Sequence, residues 1–507
     1  MNGTLFSRKF VLTFMFLLNI AFFVLSAIYI NYFIYWGISI TTLSIFSIII
    51  QRHNEGPAQK VVWILTIILM PFFGAVLYIY SKNTPGTAGE RKRFLKISYR
   101  SSQLLMENRE IRNSFENSEA KFKKIGRYLY SSALMPINSD TEVSYISTGP
   151  SYINELLVAI SEAKKYIFLE FNKVEDGRVW SELFQVLKDK ARLGLEVILV
   201  YDDKSSKKGF KDKKTFVKLE NHRINAVPFN KQRLFTPSSR YIDNCSMVII
   251  DGTVGFTGSI NVSDECVNYK EGETNVGAQK DSGLKVTGDA VWNMAILFMN
   301  HYQLATKTSV DITKYKGNIR TSKSKGFAQP FGSSPLIGAN KIARDVYIQL
   351  LNLADKTIYV TSPYVILDNE MRRTLKLSSQ SGVDVRIVLS SHGGNRKLKN
   401  LSQTYYSELI KAGAKIYEYD SGVMNSRMII ADDNCAVVGT IPFDFRAISS
   451  NMEDGIVLYG KSIVGPTVQD FNEVLTHSRL VTLRDLKRIK ITQKVSGQFL
   501  RFFTPIF

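Results

Sequence analysis

The sequence predicts an α/β protein, built as two tandem α/β sandwich domains related by a pseudo-twofold duplication and preceded by N-terminal transmembrane helices. Three observations predict it. Apolar strands alternate with amphipathic helices beyond residue 140. Three sequence blocks recur in the same order in the two halves. A long uncharged run stands near the N-terminus.

The alternating texture is plain from residue 141 onward. Tyr166–Phe171 (YIFLEF) and Leu195–Tyr201 (LEVILVY) have the continuous apolar character of buried strands, and Trp180–Leu193 between them has helical spacing. Strands alternating with helices argue for an α/β architecture.

The repeat adds the duplication. Ser161–Glu170 resembles Asn352–Thr361, Ala191–Val200 resembles Ser379–Val388, and Asn244–Ile260 resembles Asn425–Ile441. The last pair has a strand–turn–strand pattern in each copy. In one, Met247–Ile250 leads through Asp251-Gly252 to Val254–Thr257. In the other, Met428–Ala431 leads through Asp432-Asp433-Asn434 to Ala436–Gly439. A duplicated unit with polar strand starts suggests one site at the junction, half from each copy.

The uncharged run is residues 10–50. A helix needs only about 20 apolar residues to cross a bilayer, so this run is expected to form two spans, about 10–30 and 33–50. A third is expected at 61–80, where Pro71 and Gly74 are tolerable inside lipid. A cleaved signal peptide would need an apolar core of only about 7–15 residues. Lys82, Arg91, Lys92, Arg93, Lys96 and Arg100 beyond the last span favour a cytoplasmic large domain in a multi-pass membrane protein. The resulting organisation is an anchor over 1–82, a juxtamembrane linker over 83–140, domains at 141–305 and 335–480 joined by a linker over 306–334, and a tail over 481–507. That tail joins Arg484, Lys487, Arg488, Lys490, Lys494 and Arg501 to Phe499, Leu500, Phe502 and Phe503. It suits either an anionic membrane surface or a helix docked on the domain.

Composition sets outer limits. The chain has 507 residues, too many for a single core, and 45% are hydrophobic, which excludes global disorder. Lys and Arg total 65 against 45 Asp and Glu, a formal charge of +20 that attracts polyanions. No basic-aromatic recognition motif accompanies the charge, so nucleic acid is not the expected partner. The three cysteines, Cys245, Cys266 and Cys435, form neither a disulfide framework nor a metal-ligand spacing. No metal or other cofactor is expected.

On these strings the chain resembles the phospholipase D superfamily, and within it the bacterial cardiolipin synthases. The resemblance rests on Ile249-Ile250-Asp251-Gly252 followed by Phe256-Thr257-Gly258-Ser259-Ile260-Asn261, on Ser378–Leu389, on Ser362-Pro363-Tyr364, on Phe503-Thr504-Pro505 and on the lead-in at 52–80. It implies two phospholipase D-like domains and chemistry resting on His-x-Lys-x4-Asp in each half. One histidine attacks phosphorus, the other protonates the leaving alcohol, and the lysines hold the phosphate charge. The implied reaction converts phosphatidylglycerol to cardiolipin and glycerol.

Carried over by position, the histidine columns hold Asn244 and Asn425, and the lysine columns hold Ser246 and Arg427. The aspartates are Asp251 and Asp432. Pro442 stands where the family usually has asparagine. Arg427, Ser246, Ser259, Asn261 and Thr440 fall on the phosphate-binding side, and Asp281 and Glu453 where acids orient the histidines. An asparagine amide has no basic nitrogen and neither accepts a phosphoryl group stably nor shuttles protons near neutral pH. The expectation is a pseudoenzyme of phospholipid metabolism that binds anionic phospholipid such as phosphatidylglycerol or cardiolipin, or a membrane enzyme or second copy as partner. The alternative is an active phosphatidyltransferase or phosphodiesterase with an altered site, for which His392, in a Ser-Ser-His-Gly-Gly loop, is the candidate. Cys245 follows Asn244 but, along a strand, is expected to point to the opposite face.

Overall fold

The computed structural model describes residues 88–503 except 207–218, 230–240, 268–278, 318–325 and 338–340, and a few separate positions between 17 and 67. Among the described residues no helix is long and apolar enough to cross a membrane. That finding overturns the anchored, multi-pass fold and localisation expected above, and the cytoplasmic placement that rested on them. The spans expected at about 10–30, 33–50 and 61–80 fall, apart from short helical pieces such as 41–43 and 63–67, outside the described residues.

The first half contributes strands β1 (Thr141–Ile146), β2 (Tyr166–Phe171), β3 (Glu196–Asp202), β4 (Ile224–Phe229), β5 (Ile242–Asp243), β6 (Ser246–Ile250), β7 (Val254–Gly258), β8 (Gln279–Lys280) and β9 (Gly283–Gly288). The second contributes β10 (Phe327–Ser333), β11 (Thr357–Thr361), β12 (Asp384–Ser390), β13 (Lys415–Tyr419), β14 (Val423–Met424), β15 (Met428–Ala431), β16 (Cys435–Gly439), β17 (Asn451–Tyr459) and β18 (Ser478–Leu480). One sheet runs β1-β9-β7-β6-β2-β3-β4, and the other β10-β17-β16-β15-β11-β12-β13-β18. In each, three strands are parallel and the hairpin beside them is antiparallel. The duplication seen in the three sequence blocks is thus a duplication of sheet topology.

The buried strands divide their side chains between two cores. Tyr166 and Phe168 of β2, Ile198 and Val200 of β3, and Met247 and Ile249 of β6 join the large central core. Ile167, Leu169, Val197, Leu199, Val248 and Ile250 enter a second core under the helices Gly149–Ser161 and Arg178–Arg192. This is the period-2 alternation of a sheet covered on both faces, which is why the strands look continuously apolar in sequence. The helix Ala290–Thr306 lies in the central core and is buried almost all round.

Residues expected as a polar linker form three helices, Ala88–Ser102, Arg109–Ser118 and Lys123–Ala133. Phe94, Phe115, Phe122, Ile125 and Leu129 anchor them in the central core. β10 falls in the stretch expected to join the domains and pairs along β17. Of the two roles considered for the tail, the helix Ile491–Phe503 shows docking. Arg501 donates to Thr404 O at 2.9 Å and Glu408 Oε1 at 2.6 Å, and Gly497 lies so close to Asn400 O that a Cβ there would sit 2.4 Å away.

Candidate functional site

The two sheets are stitched together by two short parallel bridges, and these bridges build the site. β5 pairs with the start of β17, and β14 pairs with β8. Each bridge ends in a polar side chain on both strands. Beyond β5 comes Asn244, and beyond the paired Asn451–Met452 comes Glu453. Beyond β14 comes Asn425, and beyond β8 comes Asp281. Backbone bonds fix this register: Asn244 N donates to Met452 O and Asn425 N to Lys280 O, both at 2.9 Å.

The side chains therefore pair across the halves. Asn244 Nδ2 donates to Glu453 Oε1 at 2.9 Å and Oε2 at 2.8 Å. Asn425 Nδ2 donates to Asp281 Oδ1 at 2.6 Å and to Ser259 O at 2.9 Å. Asp281 also accepts from Ser259 Oγ and Gln279 Nε2, and Glu453 from Thr440 Oγ1 at 2.7 Å. Arg427 lies between the pairs, donating to Thr440 O at 2.6 Å and weakly to Asn425 Oδ1 at 3.4 Å. Its Nε is buried and has no hydrogen-bond partner among the described residues. Of the sequence candidates, Asn244, Asn425, Arg427, Ser259, Thr440, Asp281 and Glu453 are thus joined in one hydrogen-bonded chain.

Burial governs the acids. Both Asp281 and Glu453 are fully inaccessible. Burial pushes Glu453 up to about 8, against the Arg427 charge and the donors Thr440, Asn244 and Asn451. It also raises Asp281, opposed by Asn425, Gln279, Ser259 and Arg427. Asp454, which the sequence reading missed, is buried beside them and pushed up to about 6. It accepts from Thr257 Oγ1 at 2.5 Å and Ser246 N at 2.9 Å, tying β7 and β6 to β17. Its adjacency to Glu453 was the only sign of it in the sequence.

The side chains of the other candidates lie outside this chain of contacts, Ser246 reaching it only through its backbone N–H on Asp454. Ser246 is buried and its hydroxyl donates to Ile260 O at 2.8 Å. Asn261 Oδ1 accepts from Lys173 N at 3.2 Å. Asp251 and Asp432 stand at the opposite ends of β6 and β15 from the asparagines. Each has φ 53° in its hairpin turn. Asp251 accepts from the backbone N–H groups of Lys164, Lys165 and Tyr166, and Asp432 from those of Asp355, Lys356 and Thr357, all between 2.7 and 2.9 Å. Their retained charge closes a turn rather than facing the asparagines.

Among the described histidines none meets another across the junction. His392 is exposed and bonded to its neighbour Ser391, His222 packs on Phe184, and His477 caps a helix. His301 is buried against Glu170 on the central helix. Cys245 points into the central core, away from Asn244, as strand alternation requires.

Residues 347–475 match the family described as cardiolipin synthase, PLD-like domain, and residues 39–81 match the phospholipase D-nuclease N-terminal family. The chain is 30% identical over 449 residues to an uncharacterised protein of Streptococcus mutans, covering 88% of this chain and 96% of that one. It is 27% identical over 481 residues to a cardiolipin synthase of Halalkalibacterium halodurans, covering 92% and 93%. It belongs to the phospholipase D superfamily, among the cardiolipin-synthase-like proteins. A crystal structure of a phosphatidylserine synthase from Haemophilus influenzae shares the fold, with a TM-score of 0.58 at 12% identity, over 76% of this chain and 97% of that one. For a cardiolipin-synthase-like protein the expected substrate class is an anionic phospholipid.

Proposed function

We propose that this is a cardiolipin-synthase-like protein that binds the phosphodiester of an anionic phospholipid at the junction of its halves without transferring it by the family's histidine route. The observation that carries the reading is the occupation of both cross-half pairings by asparagine: Asn244 with Glu453 and Asn425 with Asp281. An amide in that place donates to the acid but offers no lone pair to phosphorus. Glu453, raised to about 8, could still supply a proton near neutral pH, yet a proton donor without a nucleophile completes no transfer. Arg427 supports binding. Its buried Nε lacks a partner among the described residues, and a guanidinium takes a phosphate oxygen through charge-assisted bonds.

The test is to incubate the purified protein with short-chain phosphatidylglycerol and follow cardiolipin and glycerol by mass spectrometry, with binding measured calorimetrically. The expected outcome is saturable binding that Arg427→Gln weakens at least about tenfold, the worth of roughly one good hydrogen bond to charge, and no product. Enzyme-dependent cardiolipin from the unaltered chain overturns the inactive reading. Product only after Asn244→His, Ser246→Lys, Asn425→His and Arg427→Lys together supports it.

A further inference from the structure

On the face of the first sheet opposite Asn244 lies a second cluster of chemistry-bearing side chains. Glu170 comes from β2, Asp243 from the end of β5, Cys245 from the link into β6 and His301 from the central helix. All four are buried, and one donor atom from each lies within 4.8 Å of every other. We infer that these four residues bind a single divalent metal ion of the zinc class and that the ion clamps the Asn244-bearing strand to the central helix.

Two observations point to a ligand rather than a self-sufficient polar cluster. Glu170 Oε2 and Asp243 Oδ2 are buried with no hydrogen-bond donor among the described residues, although a buried carboxylate oxygen without one is costly. Glu170 Oε1 meets His301 Nδ1 at 2.8 Å, and Asp243 Oδ1 accepts only from Cys245 N at 3.2 Å. The imidazole thus bonds one of the two carboxylates, and among the described residues no lysine or arginine bonds to either. The second observation is access. A cavity of about 300 Å³, lined by Phe94, Met135, Leu297 and Asn300 among others, reaches His301 from the helix Ala88–Ser102.

The donor set selects the metal class. One sulfur, one imidazole nitrogen and two carboxylate oxygens in a closed, buried arrangement suit four-coordinate zinc. Hard cations such as calcium and magnesium prefer six or more oxygens. Zinc–ligand bonds of about 2.0–2.3 Å place tetrahedral donors roughly 3.3–3.8 Å apart, so side-chain shifts of about 1 Å close the observed cluster. On binding, the Cys245 thiol proton passes to water and the sulfur becomes the ligand. The ion would sit on the reverse side of the strand from the asparagine–acid pairs, so its role is to hold that strand's position. Metal uptake there is independent of whether lipid binds or turns over.

The full chain, purified and exposed to zinc alone and then to cobalt alone, decides the matter. The expected result is about one zinc per chain by mass spectrometry after dialysis, as for a closed structural site. With cobalt, tetrahedral visible bands and a near-ultraviolet sulfur-to-metal band are expected. Cys245→Ser should remove the sulfur band, His301→Gln should lower bound metal at least about tenfold, in line with loss of a ligand, and Cys266→Ser, another buried thiol, should change neither. A folded parent protein that takes up neither metal overturns the inference and leaves a proton shared between Glu170 and Asp243. So does a sulfur band that survives in Cys245→Ser. The spectrum of the parent alone decides metal uptake should a variant fail to fold.

Discussion

Glu453 makes the protein lose stability as pH rises through neutrality, and Glu453→Gln should remove that loss. The carboxyl is fully buried and raised to about 8, whereas in the unfolded chain it titrates near its ordinary value of 4.5. Between those values the folded state holds a proton that the unfolded state has released. Stability therefore falls with rising pH, by about 1.4 kcal/mol per pH unit, and the contribution present below 4.5 is gone once pH passes the folded value. Asp454, raised to about 6, adds a similar slope chiefly at lower pH, and the other buried carboxyls that burial raises, Glu170, Asp243 and Asp281, are common to parent and variant, so the difference between the two profiles from 6 to 8 reads Glu453. Across that interval the parent chain should lose roughly 2–3 kcal/mol relative to the variant. The glutamine amide introduced by Glu453→Gln keeps an acceptor for Asn244 and carries no charge, so the variant's own profile should lack this component. Urea unfolding of both proteins at several pH values from about 6 to 8, followed by circular dichroism, reads the difference. Parallel profiles would refute the argument that burial, rather than the donors around it, sets the state of this carboxyl.

Further substitutions probe the framework around the site. Lys280→Met should cost about 3–5 kcal/mol, because it strips the buried Asp470 of an ion pair at 2.7 and 2.9 Å, and Tyr145 cannot replace that charge; a change under about 1 kcal/mol in urea unfolding would contradict this. Asp432→Ala should cost about 2–4 kcal/mol by leaving three backbone N–H groups unpaired and taking one of Lys121's two carboxylate partners, Asp355 remaining, while leaving lipid affinity unchanged, which calorimetry would check. Against its partial burial, Lys121 and those N–H groups hold the Asp432 carboxyl below its usual value, so its contribution should be present above about pH 4 and fade as pH falls, visible in acid unfolding of the parent against the variant. Gly439→Ala places a Cβ 2.4 Å from Asp454 O and should cost about 1–3 kcal/mol as β16 and β17 are forced apart, read by a lower unfolding midpoint.

The strands and their duplication were legible because both periodicity and repetition are local properties. The turn residues Asp251-Gly252 and Asp432-Asp433 marked the hairpins, and the alternation that sends Cys245 away from Asn244 followed from strand geometry. The exchange of partners was not legible. Asn244 meets an acid 209 positions away, and Asn425 one 144 positions away, and no spacing within one half encodes either. The cluster around His301 was hidden for the same reason, since Glu170 lies 131 positions from it and the sequence showed only a single cysteine nearby. The helices of 88–133 look like a linker in sequence because their charge obscures Phe122, Ile125 and Leu129, whose spacing of three and four marks a buried face. The length and lack of charge over residues 10–50 argued for membrane spans, and the described helices supply none.

The two short bridges, β5 on β17 and β14 on β8, make each half the custodian of the other's acid. Neither half, cut at the connection and produced by itself, would possess a complete pairing, whereas the two fragments together could rebuild both. The same arrangement describes an ancestral pair of identical subunits whose interface became internal when their coding sequences were joined.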